Sequence, residues 1–155
     1  MSTGCNVSQD VVLQYNEFKL QRHPFDFRYV TYQIEEEQDI VVDGTGGREE
    51  SWNDFVDELT GFDLSNLGAH RPRARCRYGI FDMSTIHGLP NPTMVFITWC
   101  PEDAPVRSKM IYSGSKEMIK RVLVGTHLHI NANSIDELFE TEVSHKFKEA
   151  YGLDQ

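Results

Sequence analysis

Two short runs rich in apolar, aromatic and β-branched residues constrain the fold of this chain more than any other feature. They occupy residues 75–82 and 93–99. Runs of this length and composition are typical of β-strands. Residues 88–92, between them, read Gly-Leu-Pro-Asn-Pro, which is typical of a turn. The sequence therefore predicts two strands that are separated by a turn.

Helical and extended patterns alternate along the rest of the chain. Apolar residues recur at helical spacing over residues 9–20, after Ser8, and again after Ser51, with Asp54 in a near-capping-box position. A long helix begins near residue 103, and Gly114 favours a bend in it. Its predicted apolar stripe consists of Val106, Met110, Ile111, Met118, Ile119, Val122 and Leu123. Further strands are predicted at residues 27–33, 40–42 and 127–130, and further helical pieces at residues 135–139 and 143–151. This order predicts an α+β fold, a central mixed β-sheet flanked by helices, in a single domain spanning residues 1–155.

The cysteines and the longest apolar run exclude several classes of protein. Cys5, Cys76 and Cys100 are irregularly spaced, which argues against a disulfide framework and a zinc site. Cys76 and Cys100 fall in apolar strands, where buried, unreactive thiols are expected. The N-terminus lacks a secretory pattern, and residues 94–100 are too few to span a bilayer. The sequence predicts a soluble cytoplasmic protein.

Positive charge is concentrated in one segment of an otherwise acidic chain. The net charge is −9, which disfavours binding to nucleic acid or to an anionic membrane. Residues 104–121 nevertheless carry five basic residues and one acidic residue, a local excess of four positive charges. A solvated helix face is the usual explanation for such a pattern. An acidic protein partner would also explain it, because local charge complementarity can steer association.

Three patterns could indicate a site for a small ligand, and none is sufficient. Residues 44–47, Gly-Thr-Gly-Gly, lack the Lys and the Ser or Thr of a phosphate-binding loop and are predicted to form a flexible loop. His127 and His129 could share a strand face, but two ligands without a third do not define a metal site. The alternating arginines of residues 71–77 could bind an anion, although a solvated surface is the preferred interpretation, and residues 60–74 are predicted to form a surface loop. We expect no cofactor, no metal and no catalytic residue.

A resemblance to a known family emerges at the start of the long helix. Residues 99–112 read Trp-Cys-Pro-Glu-Asp-Ala-Pro-Val-Arg-Ser-Lys-Met-Ile-Tyr, and this segment, continuing through residues 115–116, resembles the signature helix of the actin-depolymerizing factor/cofilin family. Residues 3–4, 15–20, 40–42, 55–59 and 76–82 continue the resemblance in order and spacing. It implies the ADF-homology, gelsolin-like fold, and a protein that binds actin monomers and filaments, prefers their ADP form, and promotes depolymerization or severing. A glia maturation factor-like regulator of branched actin is an alternative, suggested by Gly114. An enzyme of unknown type is a third hypothesis.

The resemblance also implies which residues bind actin. Arg107 and Lys109 would pair with actin carboxylates, Met110 would contact an apolar groove, and Ser115 would lie on the same surface. The N-terminal segment, with Ser2, Thr3 and Gly4, would complete the monomer-binding face. Thr3 stands where many relatives carry a regulatory serine, and phosphorylation of Thr3 or Ser2 would inhibit binding by adding negative charge.

The surface that relatives use for the filament side differs in this chain. Residues 89–92 carry no charge where relatives often have a basic pair, and the final helix offers Lys146 and Lys148 in a different arrangement. We therefore expect binding to monomers to be stronger than binding to filament sides. The basic helix could also bind phosphoinositide headgroups, and the protein is expected to be a monomer.

Overall fold

The computed structural model describes residues 5–61 and 74–153. In chain order the elements are β1 (Asn6–Val7), α1 (Gln9–Lys19), β2 (Phe27–Glu35), β3 (Asp39–Gly47), α2 (Trp52–Thr60), β4 (Arg77–Asp82), α3 (Ser84–His87), β5 (Met94–Trp99), α4 (Val106–Val122), β6 (Leu128–Ala132), a 3-10 helix (Ile135–Leu138) and α5 (Glu140–Ala150).

The strands of the described residues form one mixed sheet in the order β1-β3-β2-β4-β5-β6. The central pairs, β3 with β2, β2 with β4 and β4 with β5, are antiparallel. The outer pairs, β1 with β3 and β5 with β6, are parallel. A mixed central sheet flanked by helices is the predicted fold class, which is thereby confirmed.

Helices cover both faces of the sheet, and strand alternation explains how one sheet supports two cores. Because successive side chains of a strand point to opposite faces, Met94 and Phe96 of β5 pack on the side of α1 and α4, whereas Val95 and Ile97 pack on the side of α2 and α5. All six residues of β5 are buried. This double burial accounts for the continuous apolar run at residues 93–99.

The prediction of a flexible loop at residues 44–47 is wrong, because these residues form the second half of β3. Gly44 pairs with Thr31 and Gly46 with Tyr29 across the ladder to β2. A Cβ at Gly46 would lie 2.2 Å from the Tyr29 ring. The glycine therefore allows the strand to lie against an aromatic ring, which is a packing requirement and not a sign of flexibility.

The predicted starts of α1 and α2 are confirmed in detail, whereas α4 begins at Val106, three residues later than predicted, and α5 begins at Glu140, three residues earlier. The Ser8 hydroxyl accepts a hydrogen bond from the Asp10 amide at 3.2 Å and caps α1. Ser51 and Asp54 form a complete capping box at the start of α2. Each satisfies backbone amides that the first helical turn leaves without partners. Gly61 ends α2 with a φ of 72°, and residues 62–73 of the predicted surface loop lie outside the described residues.

Other elements differ from the prediction in extent. The two residues of β1 and the single turn of α3 are too short to leave a periodic pattern, and both were missed. The last strand begins one residue later and ends two residues later than predicted, at Ala132. α4 continues through Gly114 to Val122 as one helix, so the glycine does not divide it.

Candidate functional site

The orientation of α4 on the sheet is fixed by polar anchors and by apolar packing. The Tyr112 hydroxyl accepts a hydrogen bond from the Ile34 amide at 2.9 Å, and the Tyr112 carbonyl accepts one from the Tyr78 hydroxyl. Ile119 and Leu123, about two and three turns further on toward the helix C-terminus, are buried in the core beneath. A helix that is held at several points presents its opposite side to solvent in one orientation.

The solvent side of α4 carries an exposed apolar ridge at its N-terminal end. Val106 and Met110 are 70% and 69% exposed and lie one helical turn apart. The prediction that they belong to the buried stripe is wrong, because Tyr112 and Ser115 take those positions on the sheet side. Two large apolar side chains left in water on an anchored helix mark a surface that can bind another protein.

Arg107 stands beside this ridge and already has a partner within the chain. Its Nε and Nη2 atoms each donate to a carboxylate oxygen of Glu37 at 2.7 Å, although the Arg107 side chain is 76% exposed. The guanidinium lowers the pKa of Glu37, chiefly through this hydrogen bonding. Glu37 is 70 residues away in sequence. No local pattern could have associated it with Arg107, and sequence reasoning missed it.

The lysines of α4 extend the positive surface along the helix. Lys109 Nζ donates to the Glu102 carbonyl at 2.8 Å, which holds the ammonium group at the N-terminal end of the helix. Lys116 lies 3.5 Å from Asn131 Oδ1, and Lys120 lies 3.6 Å from Glu117. Burial, reinforced by Lys120 and Lys116, lowers the pKa of nearby His129 to about 4. The imidazole is therefore neutral at physiological pH and adds no charge to this surface.

Ser115 does not lie on the exposed face, contrary to the expectation. Its side chain is fully buried, and its hydroxyl accepts a hydrogen bond from the Cys5 amide at 3.2 Å. The resemblance places Ser115 on the binding surface, but Ser115 is five residues after the exposed Met110. The two side chains are therefore about 140° apart around the helix axis, and Ser115 faces the sheet. Its contact holds the first described residue of the chain against α4. Ser2, Thr3 and Gly4 lie outside the described residues.

The residues expected on the filament side lie on the opposite layer of the molecule from α4. Lys146 and Lys148 are exposed on α5. The His87 ring of α3 stacks on the Phe147 ring of α5, with 4.7 Å between the ring centroids. Burial lowers the pKa of His87, and the positive charge of Lys148 lowers it further. The segment that precedes the uncharged turn at residues 88–92 thus packs directly against the helix that carries the two lysines.

The other candidate sites are occupied by internal contacts. Arg77 Nε donates to the Asp43 carboxylate at 3.2 Å, and Arg75 donates to the Glu58 carbonyl, while the remaining arginines of the alternating series lie outside the described residues. Within residues 5–61 and 74–153, no group of three or more His, Cys, Asp or Glu side chains is placed to hold a metal ion. None of the helices described has the length and apolar character that crossing a membrane requires.

An anchored helix with an exposed apolar ridge and exposed cations is suited to binding the surface of another protein, and the known relatives agree. A family model for cofilin/tropomyosin-type actin-binding proteins matches residues 4–148. The chain is 34% identical over 148 residues to actophorin of Acanthamoeba castellanii, which covers 94% of this chain and 96% of that protein. It is 36% identical over 134 residues to actin-depolymerizing factor 1 of Petunia hybrida, and this alignment covers 84% of this chain and 86% of that protein.

The fold agrees with the same family. The crystal structure of Streptomyces griseoflavus cofilin aligns with a TM-score of 0.77 at 22% identity and covers 95% of this chain and 99% of that chain. The chain therefore belongs to the cofilin/actin-depolymerizing factor family of actin-binding proteins. The glia maturation factor-like alternative is not favoured by these relatives.

Proposed function

We propose that this chain binds actin monomers and filaments, prefers their ADP form, and promotes filament depolymerization and severing. The observation that carries the proposal is the exposed ridge of Val106 and Met110, flanked by Arg107 and Lys109, on a helix that the sheet holds in one orientation. An apolar ridge beside cations suits a partner surface that combines a hydrophobic groove with carboxylates.

The proposed activity needs binding energy and no bond chemistry. A protein that binds one state of a filament more tightly than another shifts the filament toward the favoured state. If the favoured state has weaker contacts between neighbouring subunits, binding alone accelerates subunit loss and severing. The chain would act as a single domain and as a monomer, in the cytoplasm and on the cytoskeleton.

The N-terminal segment is proposed to complete the monomer-binding face. Cys5, which follows Ser2, Thr3 and Gly4 in the chain, is held against α4 by its contact with Ser115. Phosphorylation of Thr3 or Ser2 would add roughly two negative charges next to a surface that recruits carboxylates, and so would inhibit binding. The same cations could bind phosphoinositide headgroups, in competition with actin.

Filament-side binding is proposed to be the weaker activity. Lys146 and Lys148 supply charge on α5, but the neighbouring turn at residues 88–92 supplies none. Since α4 and α5 lie on opposite layers of the sheet, the two surfaces can be altered separately.

Two charge-matched double variants test the proposal. Arg107→Ala with Lys109→Ala should weaken binding to fluorescent ADP-actin monomers at least about tenfold, because it removes charge-assisted contacts from the centre of the face. Lys146→Ala with Lys148→Ala removes the same charge and should leave monomer binding unchanged while reducing co-sedimentation with filaments. Unchanged monomer affinity in a folded Arg107/Lys109 variant would refute the assignment of the face.

A further inference from the structure

Cys76 and Cys100 face each other across two neighbouring strands. Arg77 of β4 pairs with Trp99 of β5, so continuing this antiparallel register by one residue places Cys76 opposite Cys100. The two thiols are close enough for each to change the pKa of the other. Residues directly opposite in an antiparallel pair have Cα atoms about 4.5–5.5 Å apart. A disulfide spans Cα distances of about 4.4–6.8 Å. The strand register therefore places the two Cα atoms within the range of separations that a disulfide bond spans.

The two thiols differ in exposure and in acidity. Cys76 is a buried residue, whereas Cys100 is only partly buried. The neighbouring Cys76 thiol lowers the pKa of Cys100, and the ammonium groups of Lys109 and Lys116 lower it further, against the opposing effect of burial. The neighbouring Cys100 thiol, followed by burial, raises the pKa of Cys76. Thiolate character thus concentrates on the less buried residue of the pair, which is the arrangement that favours oxidation.

We propose that Cys76 and Cys100 form a peroxide-oxidisable dithiol site, in which Cys100 reacts with a hydroperoxide and Cys76 closes an intramolecular disulfide. The Cys100 thiolate attacks the terminal peroxide oxygen, the O–O bond breaks, and the departing oxygen takes up a proton to leave as water or an alcohol. Cys100 becomes a sulfenic acid. The Cys76 sulfur then attacks the Cys100 sulfur, its proton joins the departing hydroxide, and water leaves. Two electrons pass from the two thiols to the peroxide.

Sequence alone predicts unreactive thiols in these strands, and their contact across the ladder changes that expectation. Cys5 provides the internal contrast. It is buried, its Sγ donates to the Glu37 carbonyl at 3.5 Å, and its amide donates to Ser115. Cys5 therefore should not take part in the crosslink. The site does not depend on the proposed binding of actin, so the two proposals can fail independently.

The test is to treat the reduced full-length chain with hydrogen peroxide at neutral pH, alkylate the remaining thiols, and analyse protease fragments by mass spectrometry. The main product should be a monomeric chain that is two hydrogens lighter, with Cys76 joined to Cys100. The Cys5→Ala variant should give the same crosslink. In Cys76→Ala, the 1,3-dione reagent dimedone should trap a sulfenic acid at Cys100, whereas in Cys100→Ala it should leave Cys76 unlabelled.

The contribution of the neighbouring cation is tested with a matched pair of variants. Lys109→Gln should slow the loss of the Cys100 thiol several-fold, whereas Lys148→Gln, on the far layer, should not change it. Failure to form the crosslink in wild-type and Cys5→Ala chains with native circular dichroism would overturn the proposal. A crosslink that includes Cys5 would also overturn it. Dimedone labelling of Cys76 in place of Cys100 would do the same.

Discussion

At the scale of single residues, the most consequential contact is the ion pair between Arg107 and Glu37. Glu36 and Glu37 form the tip of the β2–β3 hairpin with φ values of 51° and 59°. This left-handed turn directs the Glu37 carboxylate at the N-terminal end of α4, where it engages two nitrogens of Arg107. To pair with Arg107, an actin carboxylate would have to share the guanidinium group with Glu37 or displace Glu37 from it. The pair therefore competes with the proposed function.

Removing the competing carboxylate should strengthen binding. We expect Glu37→Gln to raise the affinity for actin monomers by up to about fivefold, the range over which exposed ion pairs contribute. Glu36→Gln removes the same charge from the adjacent turn residue and serves as the matched control, and it should change the affinity for actin monomers only slightly. A titration of labelled actin monomers measures the affinities of both variants. Weaker binding of Glu37→Gln would show instead that Glu37 orients Arg107 for its partner.

At the scale of elements, two glycines illustrate opposite structural requirements. Gly46 lies in β3 with the Tyr29 ring at 2.2 Å from the position of a Cβ, whereas Gly114 lies in α4 with no neighbour within 4 Å of that position. The first glycine is required by packing. The second only adds freedom to the unfolded chain and lowers the helical propensity of α4.

Alanine substitutions at these two positions should therefore have opposite effects on the free energy of unfolding. Gly46→Ala should lower it by about 1–3 kcal/mol, because the new methyl group forces the strand or the Tyr29 ring to move. Gly114→Ala should raise it by about 0.5–1 kcal/mol. Urea denaturation measures both values. The structural interpretation of β3 would be contradicted if Gly46→Ala were as stable as the wild-type chain.

The elements themselves could be predicted to the extent that their patterns are local. The period of apolar residues and the capping residues Ser8 and Ser51 locate α1, α2 and α4 because these signals depend on neighbours within a few residues. β3 beyond residue 42 could not be predicted, since Gly46 is explained by the Tyr29 ring of a partner strand and not by any local pattern. Periodicity assigned Val106 and Met110 to the apolar stripe of α4, because amphipathic periodicity does not distinguish a buried apolar face from one that binds a partner. Only the resemblance assigned Met110 to the binding surface.

The site was predictable only where the family motif carries it. Arg107, Lys109 and Met110 follow from the segment at residues 99–112, and the structure places Arg107 and Met110 on the exposed side of α4 with Lys109 half-buried beside them. Glu37 and the contact of Ser115 with Cys5 join residues 70 and 110 positions apart. Contacts of that range depend on the packing of the whole sheet and leave no trace in local sequence.

At the scale of the whole molecule, the mixed sheet separates two surfaces. α4 and its cations lie on one layer, and α5 with Lys146 and Lys148 lies on the other. The chain is acidic overall, with a net charge of −9, so the basic surface of α4 must act locally. The distribution of charge predicts a protein whose monomer-facing helix is its principal binding surface.

The most direct test of this account is the equilibrium affinity of the wild-type chain for actin monomers loaded with ADP or with ATP. We predict saturable binding with one chain per monomer, tighter for ADP-actin than for ATP-actin and stronger than the binding to filaments measured under the same conditions. No detectable binding to either monomer, by a chain that is folded, would contradict the central claim.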